Sequence, residues 1–170
     1  MTDTPNPAPK VAKGPDFPSA ERLRIYGDFM FLAMRSVHHQ KMSVANLRAA
    51  IEPPILFGQY RIFRFDGIPR GLITWAHLSA EAEARYVAGG HLRPADWKSG
   101  DNLWLIDLIA PYPGLMRGMS RWIMKPGNFA DRDYYFRRVR NGNRTRKIVH
   151  VDFERADGMS RILSENDFAA

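Results

Sequence analysis

The sequence contains no cysteine, which excludes disulfides, thiolate zinc sites and a cysteine nucleophile. No apolar run approaches the roughly 18 residues of a membrane-spanning helix, and the first residues lack the apolar core of a signal peptide. Phosphate-binding GxxxxGK[ST], dinucleotide-binding GxGxxG and zinc-binding HExxH patterns are also missing. We therefore expect a cytoplasmic protein without a metal site or stable membrane insertion.

The 170 residues include 25 basic and 18 acidic side chains, which gives a formal charge of +7. This excess favours an anionic partner and leaves open nucleic acid, an acidic membrane or an acidic protein. Residues 1–18 contain several prolines and few large apolar side chains, so they are predicted to form a disordered arm. Residues 19–170 are predicted to form one domain.

Apolar periodicity and capping residues predict a mixture of helices and strands. Expected helices cover 19–37, a segment from Ser43 to the Pro53-Pro54 pair, 79–86, 115–124 and 160–168. Expected strands cover 59–65, 71–75, 103–109, 134–140 and 147–153, with Asn141-Gly142-Asn143 as a turn and a longer loop at 66–69. Hairpins outnumber parallel crossovers, which predicts an α+β domain on a single largely antiparallel sheet with flanking helices.

Asp107 lies between Ile106 and Leu108 in an apolar run that predicts a buried strand. A buried carboxylate needs a cationic or hydrogen-bonding partner, and His39, in the polar connection between the first two helices, is the natural candidate. A carboxylate that accepts from one ring nitrogen raises the basicity of the other, which suits a general base. A solvent-facing histidine and a structural aspartate are the alternatives, and His38 is a neighbouring candidate. The remaining histidines are expected at the surface: His77, His91 and His150.

Positive charge is concentrated around the predicted turn at 141–143, next to three aromatic residues. A solvated hairpin is one interpretation, and contact with nucleic acid through stacking and phosphate binding is another. The basic residues are Arg137, Arg138, Arg140, Arg144, Arg146 and Lys147, and the aromatic ones are Tyr134, Tyr135 and Phe136.

Several segments together resemble the toxin-activating lysine acyltransferases of RTX haemolysins, in order and in spacing. The similarity extends from about residue 36 to about residue 153 and is strongest over 75–111. The segments are Ile73-Thr74-Trp75-Ala76-His77-Leu78-Ser79, then Glu81, Glu83 and Arg85-Tyr86, then Asp96-Trp97-Lys98-Ser99-Gly100-Asp101, then Trp104-Leu105-Ile106-Asp107-Leu108-Ile109-Ala110-Pro111.

This resemblance implies an enzyme that moves an acyl group from acyl carrier protein to internal lysines of an inactive RTX protoxin, without a bound cofactor. It implies a fold similar to that of Gcn5-type N-acetyltransferases, and a homodimer. The family's essential histidine lies in a Ser-x-x-His segment, which matches Ser36-Val37-His38-His39 with His39 as the histidine. Its essential aspartate, in an Ile-Asp-x-Ile-Ala-Pro segment, corresponds to Asp107.

The chain departs from the family pattern at Leu108, where an aromatic residue is common, and at Tyr112-Pro113, where Phe-Gly is usual. An asparagine discussed as catalytic in some members aligns with Ala50, and Asn46 therefore has no assigned role. Whether the acyl group passes directly to lysine or through an acyl-histidine stays open.

Substrate contacts are predicted at Ser36 and in an apolar groove for the acyl chain, with core packing as the alternative for the groove residues. The basic hairpin is the predicted docking surface for the acidic carrier. The competing hypothesis is a basic module that binds nucleic acid or an anionic membrane without catalysis. The groove candidates are Phe63, Phe65, Trp75, Trp104 and Met116.

Overall fold

The computed structural model describes residues 18–140, 144–156 and 158–168, which form one six-stranded sheet with flanking helices. The predicted arm, apart from Pro18, and the Asn141-Gly142-Asn143 turn lie outside the described residues. No helix in the described part is long and apolar enough to cross a membrane. The helices are α1 (Ala20–Ala33), α2 (Val44–Phe57), α3 (Ala80–Val87) and α4 (Leu115–Ile123), and the strands are β1 (Tyr60–Phe65), β2 (Ile68–Leu78), β3 (Asn102–Ile109), β4 (Tyr134–Val139), β5 (Thr145–Val151) and β6 (Ser160–Leu163).

The strands follow one another across the sheet in chain order, from β1 to β6. Every neighbouring pair is antiparallel except β3 and β4, which are parallel and are connected through α4. The predicted α+β class with a largely antiparallel sheet is therefore confirmed. The parallel pair is short, with Trp104 opposite Tyr135 and Leu105 opposite Phe136 as its two register positions.

Side chains alternate across β2 and divide the core between the two faces of the sheet. Leu72 packs in a cluster with residues of α1 and α2, and Ala76 packs in a cluster with residues of α3. Ile73, which points the opposite way, packs with Met119 of α4. One face therefore carries α1, α2 and α3, and the other carries α4.

Serine caps confirm the predicted starts of three helices, because Ser19, Ser43 and Ser79 each accept a hydrogen bond from the backbone N–H three residues later. The predicted end of α2 at Pro53-Pro54 is wrong. Both prolines are buried inside the helix, which continues to Gly58 in the left-handed conformation. Proline has a φ angle compatible with a helix, but it cannot donate the backbone hydrogen bond and its ring crowds the carbonyl four residues earlier. Burial of the surrounding apolar residues outweighs this cost here.

Two further predictions about local structure are wrong. The β1–β2 hairpin has a two-residue loop, Asp66-Gly67, with both φ angles positive (50° and 76°), rather than a longer connection. Such a turn matches the twist of the flanking strands. The predicted helix at 160–168 is instead strand β6, which pairs with β5, followed by a 3₁₀ turn at Glu165–Phe168. Without β6, the edge of β5 would present unpaired backbone groups, and the local sequence pattern does not reveal that these groups are available as partners.

Asp96 anchors the connection between α3 and β3. Its buried carboxylate accepts hydrogen bonds from the backbone and side chain of Arg93 and from the side chain of Arg85. Burial acts to raise the pKa of Asp96, but these hydrogen bonds and charges prevail and lower it to about 2. The neighbouring Trp97, also buried, forms part of the wall of the cleft described below.

Candidate active site

A β-bulge determines the direction in which Asp107 points. Thr74 lies opposite Asp107 and Trp75 lies opposite Leu105, so Ile106 is an extra residue in β3. Leu105 belongs to the core on the α4 face. Strict alternation would send Asp107 to that face too, and the extra residue redirects it to the face of Thr74. The Asp107 N–H donates to the Thr74 side-chain oxygen (3.1 Å).

His39 and Asp107 meet, as the sequence predicted. His39 begins a 3₁₀ turn (His39–Lys41) that follows α1, and its Nε2 lies 3.4 Å from Oδ1 of Asp107. The other ring nitrogen, Nδ1, is 2.8 Å from Oγ of Ser36. The His39 side chain is only 5% exposed and that of Asp107 is 21% exposed. Of this pair, Asp107 is therefore the more accessible member.

Asp107 lines a cleft of about 760 Å³ at the point where β3 and β4 separate. Beyond Leu105 and Phe136 the two strands no longer pair, and Ile106 and Arg137 flank the opening. A parallel pair that ends after two register positions leaves a gap between strands, which side chains then line. The cleft residues also include Val37, His38, Lys41, Met42, Asn46, Ala49, Ala50, Tyr86, Gly90, His91, Leu92, Trp97, Val139 and Arg140.

Charges in the cleft act on one another. The pKa of His38 is lowered, first by desolvation and then by the neighbouring His39 and Arg137, whereas Asp107 acts to raise it. Burial raises the pKa of Tyr86, so its hydroxyl stays neutral, with Arg137 and Asp107 as opposing influences. Asp107 is thus a negative centre among aromatic and basic side chains.

The structure separates the predicted substrate-contact residues into different places. Ser36 contacts His39 and does not line the cleft. Trp104 is fully buried, and its indole N–H donates to Glu83 (2.7 Å). Trp75 packs against Phe129 in the core on the α4 face. None of the five predicted groove residues lines the cleft: Phe63, Phe65, Trp75, Trp104 and Met116.

The arginines predicted to dock the carrier also lie in two different places. Arg137 and Arg140 line the cleft. Arg138, Arg144 and Arg146 are exposed on the β4–β5 hairpin and do not line it. Sequence reasoning gave Asn46 and Tyr86 no role in the site, although both contribute to the cleft walls. Their position on α2 and α3 follows from how the helices pack on the sheet, and no local pattern signals it.

A second histidine–aspartate pair lies away from the cleft. His150 is buried, so the expected surface position is wrong, and its Nε2 is 2.7 Å from Oδ2 of Asp133. Its Nδ1 accepts from Nε of Arg161 (3.1 Å), and its ring stacks on Tyr135. The β4–β5 pairing turns His150 inward. Among the described residues, no group of three or more histidine, aspartate or glutamate side chains is arranged to hold a metal ion.

Comparison with known proteins identifies the family. The sequence model of the RTX toxin acyltransferase family matches residues 19–152. The RTX-II toxin-activating lysine-acyltransferase of Actinobacillus pleuropneumoniae is 38% identical over 91 residues, which are 53% of this chain and 57% of that protein. The leukotoxin-activating lysine-acyltransferase of Aggregatibacter actinomycetemcomitans is 38% identical over 91 residues, or 53% and 54% of the two chains.

A longer match joins the chain to the RTX-III toxin-activating lysine-acyltransferase of Actinobacillus pleuropneumoniae, with 32% identity over 126 residues, or 74% of this chain and 71% of that protein. In the first two matches the chain spans little more than half of the relative's length. The chain belongs to the RTX toxin acyltransferase family. The resemblance stated from the sequence is therefore confirmed.

Proposed function

We propose that this protein is a protein-lysine acyltransferase, which moves a fatty acyl group from acyl carrier protein to internal lysines of an RTX protoxin and so activates the toxin. Family membership and the lysine-acyltransferase names of the relatives support the reaction class. The observation that carries the proposal is the 3.4 Å contact between His39 Nε2 and Asp107 Oδ1, with Asp107 open to a large cleft.

A lysine side chain needs help to become a nucleophile. With an ordinary pKa near 10.4 it is almost fully protonated at pH 7, and forming the free amine costs about 4–5 kcal/mol. A carboxylate in the cleft attracts the lysine ammonium, and a neutral imidazole beside that carboxylate can remove the proton. The 3.4 Å contact between Asp107 and His39 supports assigning these two tasks to them.

The observed contacts change the roles that the sequence predicted for the two ring nitrogens of His39. Asp107 was expected to accept from one nitrogen of His39 while the other acted as base, but Ser36 occupies that other nitrogen, Nδ1. In the proposed mechanism the substrate ammonium selects the tautomer in which Nδ1–H donates to the Ser36 oxygen, because the unprotonated Nε2 and the Asp107 carboxylate can then both accept from that ammonium. The substrate ammonium binds Asp107 and gives its proton to Nε2. The resulting imidazolium is then stabilised by Asp107.

The amine nitrogen next attacks the thioester carbonyl carbon and forms a tetrahedral intermediate. Its collapse re-forms the carbonyl and breaks the carbon–sulfur bond, and the nitrogen passes its extra proton to the departing thiolate. The imidazolium of His39 then returns its proton to solvent. The products are an N-acyl-lysine and the free thiol of the carrier. A bound cofactor has no step in this scheme.

The acyl donor is proposed to enter where β3 and β4 separate. An acidic carrier suits the excess of positive charge in the chain and the cations that line the cleft: Lys41, Arg137 and Arg140. Family membership supports the further proposal of a fold similar to that of Gcn5-type N-acetyltransferases. Reversing the charge of Arg140 should weaken carrier binding, and raising the salt concentration should do the same. If carrier affinity were unaffected by both changes, docking of the carrier at the cleft would be contradicted.

The test of the catalytic pair is acyl transfer by His39→Ala, compared with His150→Ala as a matched control. Each variant truncates a buried histidine beside an aspartate. A general base contributes about 10²–10⁴ to the rate, so His39→Ala should lose most of its activity and His150→Ala should keep it at a temperature where both are folded. Equal activity of the two variants would refute the role of His39.

The same assay distinguishes the remaining alternatives. Mass spectrometry after mixing enzyme and acyl carrier, without protoxin, detects an acyl-histidine if that route operates. The burial of His39 favours direct transfer, because the imidazole has little room for an acyl chain. Binding of nucleic acid or anionic vesicles by the wild-type protein, with no mass transferred to a protoxin lysine, would support the non-catalytic binding module instead.

A further inference from the structure

Arg137 occupies a special position among the basic residues of the hairpin. It follows Phe136, which is the last residue of β4 in register with β3. It therefore stands at the mouth of the split, across from the segment of β3 that holds Ile106 and Asp107, and all three line the same cleft. His38, which precedes His39 in the chain, lines this cleft too, and the charge of Arg137 acts to lower its pKa.

The Arg137 side chain is held in one orientation. The guanidinium carbon lies 3.8 Å from the centre of the buried Tyr86 ring, as in a cation–π contact. Its Nη1 is 3.3 Å from Oγ1 of Thr145, which itself donates to the carbonyl oxygen of Val87 (2.6 Å). Strand β5 and helix α3 therefore both fix the guanidinium. A cation held in this way needs no reorganisation when a negative charge develops beside it.

Thioester aminolysis creates such a charge. When the lysine nitrogen bonds to the carbonyl carbon, the π electrons of the carbonyl move to its oxygen, which becomes an oxyanion. Asp107 cannot stabilise that oxygen, since both carry negative charge. A fixed guanidinium on the other wall of the cleft has the required sign and presents N–H donors in a planar fork.

We infer that Arg137 binds the thioester carbonyl oxygen of the acyl donor and stabilises the oxyanion of the tetrahedral intermediate. This role rests on the proposed acyltransferase function and adds to it a second catalytic group on the opposite wall from Asp107. Arg138, the next residue, alternates to the other side of β4, is exposed and does not line the cleft. It serves as the matched control.

The donor offers another anionic oxygen, the phosphodiester of the phosphopantetheine arm that carries the acyl group. The pantetheine chain separates this phosphate from the thioester. Because Arg137 directly follows Phe136 and Asp107 lies two residues beyond its partner Leu105, both stand where the strands separate, and the thioester oxygen is the favoured partner. A donor that lacks the phosphate, such as the acyl thioester of N-acetylcysteamine, separates the two possibilities.

The experiment measures kcat and KM for the wild type, Arg137→Ala, Arg137→Lys and Arg138→Ala with both donors. Arg137→Ala should lower kcat about 10²–10³-fold with the carrier-bound donor and with the N-acetylcysteamine thioester. KM should change little for the N-acetylcysteamine thioester and should rise for the carrier-bound donor, because Arg137 is one of the cations that attract the acidic carrier. Arg137→Lys should recover part of the loss, and added guanidinium ions should partly rescue Arg137→Ala. Arg138→Ala should keep the wild-type kcat with both donors, and any effect of its charge on carrier docking should appear in KM alone.

Each other result has a definite meaning. A defect confined to the carrier-bound donor would assign Arg137 to the phosphate and overturn the oxyanion role. Unchanged kcat in Arg137→Ala would overturn it as well, and a wild-type protein with no transfer would instead refute the acyltransferase proposal. Melting curves identify loss of folding, and guanidinium rescue together with Arg137→Lys tests the role if Arg137→Ala is unstable.

Discussion

Replacing Thr74 by valine tests whether the bulge in β3 orients the candidate catalytic aspartate. The Thr74 oxygen accepts the Asp107 N–H (3.1 Å) at a place where the extra residue Ile106 interrupts normal strand pairing. Valine has nearly the same shape but no acceptor, and Thr74 is only 1% exposed, so water has poor access to replace the lost partner. The N–H would then be left without its hydrogen bond.

Leaving a buried donor unsatisfied costs about 1–3 kcal/mol of unfolding free energy. In a protein of this size, each kcal/mol lowers the melting temperature by about 2–4 °C, so Thr74→Val should melt about 2–12 °C lower than the wild type. A displacement of Asp107 by about 1 Å can cost on the order of 10²-fold in rate. Acyl transfer should therefore fall steeply even at temperatures where the variant is folded.

Thr74→Ser provides the control, because serine keeps the hydroxyl and loses one methyl group. It should lose about 1 kcal/mol of packing energy but retain nearly all acyl transfer activity. Thermal or urea unfolding gives the stability, and initial rates on folded protein give the activity. If Thr74→Val matched Thr74→Ser in rate, the side-chain hydrogen bond to Asp107 would not be what positions the carboxylate.

Other consequences concern charge and packing. Because its folded-state pKa of about 2 lies below the ordinary 3.8, Asp96 stabilises the fold above about pH 4 and loses this effect as pH falls towards 2; urea unfolding should show Asp96→Asn less stable at pH 7, by at most about 2 kcal/mol after screening, and the gap closing in acid. Gly100→Ala should lose about 1–3 kcal/mol in urea, since its Cβ would lie 2.5 Å from a backbone oxygen, whereas Gly118→Ala, with open space in a helix, should be neutral or stabilising. The pKa of His38, measured by NMR titration, should lie below 6.5. It should be lower still in Asp107→Asn, because Asp107 favours the protonated form of His38.

Local signals in the sequence were sufficient for the elements whose stability is mainly local. Serine at a helix start satisfies orphan N–H groups whatever the tertiary context. Ser43 and Ser79 cap as expected, and Ser19, the predicted start of the first helix, caps as well. Strand β6 could not be predicted in the same way, because it forms by pairing with β5. The continuation of α2 through two prolines likewise depends on burial against the rest of the protein.

The contact between the two candidate catalytic residues was predictable because chemistry constrains the sequence directly. A carboxylate in an apolar run requires a partner, and this requirement correctly linked Asp107 to His39. The bulge that redirects Asp107 depends on register with β2, which a single strand does not encode. The placement of Tyr86 beneath Arg137 depends on how α3 packs on the sheet, so the sequence pattern could not distinguish this arginine from its exposed neighbours.

The two histidine–aspartate pairs show that a short contact alone does not identify a base. His150 lies closer to its aspartate, but Arg161 can only donate to Nδ1, so Nε2 must carry the proton and donate it to Asp133. No lone pair of that ring is left to accept a proton. Ser36 can donate or accept, which leaves His39 both neutral tautomers and allows Nε2 to act as a base. The looser pair, next to a cleft, is therefore the one whose hydrogen bonding permits proton transfer.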